Sequence, residues 1–155
     1  RGVLAGILAG LGEVAEGVPV VLPLEPRTRA RLDAFGLRDG LAPGIRLLKP
    51  LGYLDVLCLE SAAALLLTDS GGMQKEAFFQ QTPCVTIRSE TEWTELLPGG
   101  HNRLAVPGVD SIPEKVREAL EAEPDWDVPL YGDGRSAETI AAALEAGPDE
   151  VSSSE

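Results

Sequence analysis

Apolar positions along this chain fall into two alternating patterns, and the alternation predicts its architecture. Val3, Leu4, Ile7, Leu8, Leu11 and Val14 recur three and four apart, the spacing of a helix with one buried face. Gly2, Gly6, Gly10 and Gly12 weaken that helix, each by up to about 1 kcal/mol relative to alanine at interior positions, and Gly17 suits its end. Pro19-Val20-Val21-Leu22-Pro23 reads as a short buried strand. A second helix is predicted from Thr28 to Phe35, with Arg27, Arg29 and Arg31 largely on its wet side. Ile45 to Leu48 predicts another strand, closed by Pro50. Tyr53 to Ala62 reads as a helix, with Leu54, Leu57 and Leu59 as core positions. Ala62 to Leu67 then runs apolar without polar alternation, as in a strand buried on both faces. Further strands are predicted over Cys84 to Arg88 and Asn102 to Val106, separated by a short acidic helix from Glu90 to Leu97. A helix from Ile112 to Ala122, capped by Ser111, and one from Ser136 to Leu144 complete the order.

Helix and strand alternate throughout, which predicts an α/β fold built on a Rossmann-like, doubly wound, mostly parallel sheet. Such a unit opens on a strand, central in the order 3-2-1-4-5-6, whereas this chain opens on a helix. The expectation is a sheet lacking its first strand through truncation, left poorly stable or dimerised through exposed edges. Residues 1–146 are expected to form one domain, and 147–155 a polar tail that frays.

Composition narrows the function. The chain has 155 residues, 44% apolar and 25% charged, as in an ordinary soluble domain. It contains no apolar run of about 18 residues that would span a membrane, and its glycine-broken opening reads as a helix, not a signal peptide. A formal net charge of −12 argues against nucleic acid or an anionic membrane as partner. The same charge repels a free nucleotide at long range, so any phosphate site must rest on local dipoles and a few placed arginines. Cys58 and Cys84 lack metal-ligand spacing and read as core thiols of a protein in the reducing cytoplasm. His101, the single histidine, follows Gly99-Gly100 and reads as a loop residue rather than a catalyst.

Candidate chemistry concentrates in Thr68-Asp69-Ser70-Gly71-Gly72-Met73-Gln74-Lys75-Glu76-Ala77, where a buried strand turns into a helix. Two glycines remove the Cβ atoms that keep a ligand from the backbone. The first N–H groups of a helix are unpaired and partly positive, the makings of a phosphate cradle. Glu76 lies about one and a half turns on, within reach of a sugar hydroxyl of the same ligand. On the residues alone, such a turn is more often an ordinary helix cap, and Glu76 more often a solvated carboxylate. Arg88, at a strand end, either faces a cleft or pairs with Glu90 or Glu92.

This segment resembles the C-terminal domain of the non-hydrolysing UDP-N-acetylglucosamine 2-epimerases. Pro50-Leu51-Gly52-Tyr53-Leu54-Asp55, Thr82 to Arg88, Glu90-Thr91-Glu92-Trp93 and Tyr131-Gly132-Asp133-Gly134 stand in that family's order, and the likeness runs from Pro19 to Leu144. The resemblance implies the C-terminal half of a two-domain, GT-B-like fold with a UDP-sugar in the cleft. It gives Ser70, Gly71 and Gly72 to the diphosphate, Glu76 to the ribose, and the corner from Leu51 to Val56 to the uracil; Arg88 is kept as a candidate substrate contact from its place at a strand end. The implied reaction interconverts UDP-N-acetylglucosamine and its manno epimer for surface-polysaccharide synthesis. A base removes the C2 proton, anti elimination expels UDP to leave a glycal, and UDP re-adds with inversion at C2. The family's acidic proton-transfer residues belong to an N-terminal domain, so no catalytic residue is expected in this chain, which alone is expected to be inactive. Neither metal nor cofactor is implied; the expected partners are the UDP-sugar, the N-terminal domain and a second copy in a homodimer. Two positions depart from the family pattern. Glu25 stands where relatives often have histidine, and Trp93 where some carry an arginine that contacts phosphate or sugar. The competing readings are the donor domain of a GT-B glycosyltransferase and a non-catalytic nucleotide-sugar binding module.

Overall fold

A computed structural model describes residues 1–146; the predicted tail over 147–155 lies outside the described residues. The chain runs α1 (Gly2–Val14), β1 (Val20–Pro23), α2 (Pro26–Ala34), β2 (Ile45–Leu48), α3 (Tyr53–Ala62), β3 (Leu66–Thr68), α4 (Gly71–Phe79), β4 (Cys84–Thr86), β5 (Asn102–Leu104), α5 (Ile112–Leu120) and α6 (Ser136–Ala146). All pairing among the described strands is parallel, each pair joined by a long crossover connection.

The strands form two ladders, β1-β2 and β3-β4-β5. Val20 aligns with Ile45 in the first, and Leu66, Cys84 and Asn102 align across the second. On the order 3-2-1-4-5-6 the described strands supply 3-2 and 4-5-6, and none of them pairs with both ladders. Among the described residues the expected single sheet is two separate ladders. Burial follows the split. β4 has a neighbour on each side and all its residues are buried, whereas β1 and β3 have one neighbour each and are mostly half-buried or exposed.

Two small cores hold the layers. Leu8 of α1 packs with Leu24 and Leu32, supported by Leu4, Leu22, Leu37, Leu41 and Leu47. Val85 of β4 packs with Ala105 and Ala119 of α5, supported by Leu65 and Leu67. Ser111 caps α5 by accepting from the Glu114 amide at 3.4 Å, and Ile112, Val116 and Ala119 form its buried face. Gly10 is buried where α1 meets α5; a Cβ there would lie 3.0 Å from Ile112 Cβ, so this glycine permits the helix contact.

Several expectations are corrected. The strand predicted from Ala62 shortens to Leu66–Thr68, because α3 runs through Ala62 and the Ala63 amide still bonds the Glu60 carbonyl. Leu54 and Leu59 are 75% and 38% exposed, while Glu60 is buried on the inner side of α3. The acidic helix predicted over Glu90 to Leu97 is a single 3-10 turn, Thr94–Leu96. Thr91 and Trp93 instead spend their side chains bonding to α4. Cys58 is exposed and only Cys84 is buried. Arg29, expected in water, is half-buried and donates to the Leu48 carbonyl at 3.4 Å. No residue of α6 is buried. No helix of the described residues is long and apolar enough to cross a membrane.

Candidate functional site

Parallel strands end on one edge, and the candidate residues gather there. The chain leaves β2 through Leu51 into α3, leaves β3 through Asp69-Ser70 into α4, and leaves β4 into the segment 87–93. Ligands of open α/β sheets bind outside these carboxyl ends.

Ser70 is the N-cap of α4, with extended backbone and no side-chain capping bond. Its amide donates to Thr68 Oγ1 at 3.0 Å. The first turn of α4 thus has no Ser70 hydroxyl across its amides, and it carries the positive end of the helix dipole. Gly72 is exposed, and a Cβ built there meets nothing within 4 Å, so open space lies directly against this turn. Gly71 differs. A Cβ there would collide with the Glu92 carboxylate, whose Cδ lies 3.1 Å from that point. Occlusion of ligand space by a branched side chain is therefore a test for Gly72, and not the simple matter at Gly71 that the motif suggests.

Glu92 reaches this place from the segment after β4. Arg88 donates to Glu92 Oε2 at 2.8 Å, which settles the pairing of Arg88. A hydrogen bond from its own backbone N–H lowers the Glu92 carboxyl pKa most; partial desolvation opposes this, and Arg88 adds to the lowering. Trp93 Nε1 donates to the Gly71 carbonyl at 2.8 Å, and its ring carries the Lys75 ammonium 4.4 Å from the centroid. The same ammonium lies 4.2 Å from the Tyr131 centroid, and the Tyr131 hydroxyl donates to Glu95 at 3.0 Å. Trp93, which departs from the arginine of some family members, thus ties the segment to the helix.

Gln74, 1% exposed, is the hub beneath the turn. Its Oε1 accepts from Thr91 Oγ1 at 2.5 Å and from Asn102 Nδ2 at 2.9 Å, and its Nε2 donates to the Ser70 carbonyl at 3.3 Å. Asn102 Oδ1 accepts from Thr86 Oγ1 at 2.9 Å. One buried amide therefore joins α4, β5 and the segment 87–93, and reaches β4 through Asn102. Sequence reasoning passed over it, although a signal existed: Gln74, Ala77 and Phe78 are three and four apart, and these three are the buried residues of α4.

Glu76 is half-buried on the second turn of α4, toward α3. The negative charge of Glu76 is the largest influence raising the Tyr53 phenol at the start of α3. Glu60, 2% exposed, has neither carboxylate oxygen hydrogen-bonded, and burial followed by Glu76 pushes its carboxyl up. Leu51 and Val56 are half-buried at the same end of α3. The fold thus places Ser70, Gly71, Gly72 and Glu76 at the start of α4, Leu51 just before α3 and Val56 on it, and Arg88 near Gly71 through Glu92. Glu25 is exposed, at the N-cap of α2.

The remaining reactive groups are structural. His101 lies in the loop before β5, as expected, and is buried there; its ring meets Phe78 and Trp126 edge-on at 5.0 and 5.1 Å, and Nε2 bonds the Asp125 carbonyl at 2.8 Å. Burial pushes the Cys84 thiol up to about 12, so it is inert as a nucleophile. Among the described residues no group of three or more His, Cys, Asp or Glu is placed to hold a metal ion.

Comparison with known proteins matches this arrangement to one family. A family model described as UDP-N-acetylglucosamine 2-epimerase covers residues 2–145. The UDP-2,3-diacetamido-2,3-dideoxy-D-glucuronate 2-epimerase of Pseudomonas aeruginosa is 43% identical over 142 residues, 91% of this chain and 39% of that protein. The UDP-N-acetylglucosamine 2-epimerase of Methanocaldococcus jannaschii is 36% identical over 148 residues, 93% of this chain and 40% of that protein. A crystal structure of the M. jannaschii enzyme in complex with UDP-GlcNAc and UDP superimposes with a TM-score of 0.82 at 36% identity, covering 94% of this chain and 41% of that one. The chain spans about two-fifths of the length of the relatives it matches.

Proposed function

The chain belongs to the UDP-N-acetylglucosamine 2-epimerase family, and from that premise we propose that it is the UDP-binding half of a nucleotide-sugar 2-epimerase. The observation that carries the proposal is the open space against Gly72 on the first turn of α4, with Glu76 one turn along the same helix. In this reading the amides of Gly71 and Gly72, with the Ser70 hydroxyl, hold the diphosphate. Glu76 accepts from the ribose hydroxyls, Leu51 and Val56 flank the uracil, and Arg88 supplies a cation.

In the reaction, a base takes the C2 proton and the C1–O bond to UDP breaks to leave a glycal. UDP then re-adds at C1 while C2 regains a proton on its other face. The contribution of this chain is to the leaving group: donors aimed at a departing diphosphate stabilise the charge that develops as the C1–O bond opens. Proton transfer at C2 belongs to a partner domain, and this chain alone is inactive. A homodimer of the two-domain protein in the cytoplasm completes the reading.

Two sugars have support. The family description and the M. jannaschii relative favour UDP-N-acetylglucosamine, whereas the 43% identity to the P. aeruginosa enzyme favours a diacetamido-glucuronate. The two-domain protein containing this chain, supplied with each UDP-sugar in D2O and no acceptor, tests them together. The expected result is a 2-epimer carrying deuterium at C2. Release of UDP only when an acceptor is present overturns the epimerase in favour of a glycosyltransferase. Binding of UDP without turnover of either sugar leaves a binding module.

A further inference from the structure

Resting on the diphosphate reading of α4, we propose that Glu92 is an internal anion on the cradle, which the diphosphate must displace in order to bind. The Glu92 carboxylate lies against Gly71, on the first turn of a nine-residue helix. A carboxylate is the side chain that the positive end of a helix attracts, and it stands where a ligand anion gains the same attraction.

The placement is built rather than incidental. Glu92 follows Thr91, whose hydroxyl bonds buried Gln74, and precedes Trp93, whose indole bonds the Gly71 carbonyl. Both neighbours fasten the segment to α4, so the carboxylate between them is aimed at the turn. Arg88 partners it at 2.8 Å, which neutralises the pair and withholds the one arginine of the corner from other anions. The Glu92 side chain is 48% exposed, so its outward path is open. Arrival of a diphosphate places like charges side by side. Glu92 then swings toward solvent, and Arg88 passes from carboxylate to phosphate. The exchange makes binding selective: an anion must outcompete both the dipole-bound carboxylate and its arginine, which a diphosphate does better than a single phosphate or a free carboxylate.

The test is UDP and uridine affinity, by calorimetry at low salt, for the full chain and its Glu92→Gln and Glu92→Ala variants. Removal of the competing charge should tighten UDP roughly two- to tenfold, the scale of a charge at a helix terminus, and leave uridine unchanged. An unchanged or weaker UDP affinity in both variants overturns the proposal, as does an equal gain for uridine. If UDP binds none of the three proteins, the diphosphate reading itself falls and takes this inference with it. If UDP binds the parent chain but the variants gain nothing, only the displacement is wrong.

Discussion

Replacing Gln74 with leucine, a side chain of similar size, removes one buried amide and three hydrogen bonds at once. Their costs differ. Asn102 is 1% exposed, and its Nδ2 bond to Gln74 has no substitute within reach of water, so an orphaned donor costs about 1–3 kcal/mol. Thr91 is half-buried and Ser70 exposed, so both can turn to solvent for well under 1 kcal/mol each. Leucine returns part of the loss through apolar burial, and the net expectation is a destabilisation of about 1–3 kcal/mol. Urea unfolding should show a lower midpoint at unchanged m, with a fall in Tm of roughly 2–4 °C per kcal/mol. A cycle with Asn102→Ala should give a coupling of about 0.5–3 kcal/mol, because the two side chains share the bond. Stability within about 0.5 kcal/mol of the parent would refute the hub, as would strict additivity with Asn102→Ala.

Gly72→Ala should leave the fold as stable or stabilise it by up to about 1 kcal/mol, since the site is helical and open, yet weaken UDP in a binding titration; unchanged affinity would place the phosphates elsewhere. Glu60 gives a pH signature. Its folded pKa lies above the unfolded one, so the native state holds the proton longer, and the contribution of Glu60 to stability is greatest in acid and is lost as pH rises through the raised value. Glu60→Gln should therefore gain on the parent from pH 4 to pH 8 in thermal melts, and a gap that stays constant would contradict the buried carboxyl. A thiol reagent should label exposed Cys58 in the native protein and Cys84 only in urea; fast native labelling of both would contradict the packing of β4.

Local signals carried the parts of the fold that depend on neighbours in sequence. The cap at Ser111 and the spacing of Ile112, Val116 and Ala119 define α5, and the glycine turn defines the start of α4. The parallel pairing was also legible, because helix and strand alternate along most of the chain. What could not be read depends on partners far along the chain. The stretch around Glu90 has helical composition, but its Thr91 and Trp93 bond α4 residues 17 and 22 positions away, and those bonds hold it out of a helix. The phase of α3 was misjudged because Leu54 and Leu59 look like core, whereas Glu60 is turned inward. The glycines at 71 and 72 are alike in sequence, yet one faces Glu92 and the other faces open space.

The charges at this corner decide what kind of anion site it can be. Asp69, Glu76 and Glu92 face two cations, Arg88 and Lys75, a local balance of three against two on a chain of net charge −12. Lys75 is held over the Trp93 and Tyr131 rings, and Arg88 is held by Glu92. Side-chain charge therefore repels a diphosphate on approach, and the attraction comes at contact range, from the amides and from Arg88 once Glu92 has left it. The two act over different distances. Salt at 0.1 M screens beyond about 10 Å, which removes the repulsion while leaving hydrogen bonds at the helix end largely intact. UDP affinity measured from low to moderate salt should hold or rise. A steep fall with salt, as at a basic phosphate site, would show that cations rather than backbone amides carry the binding.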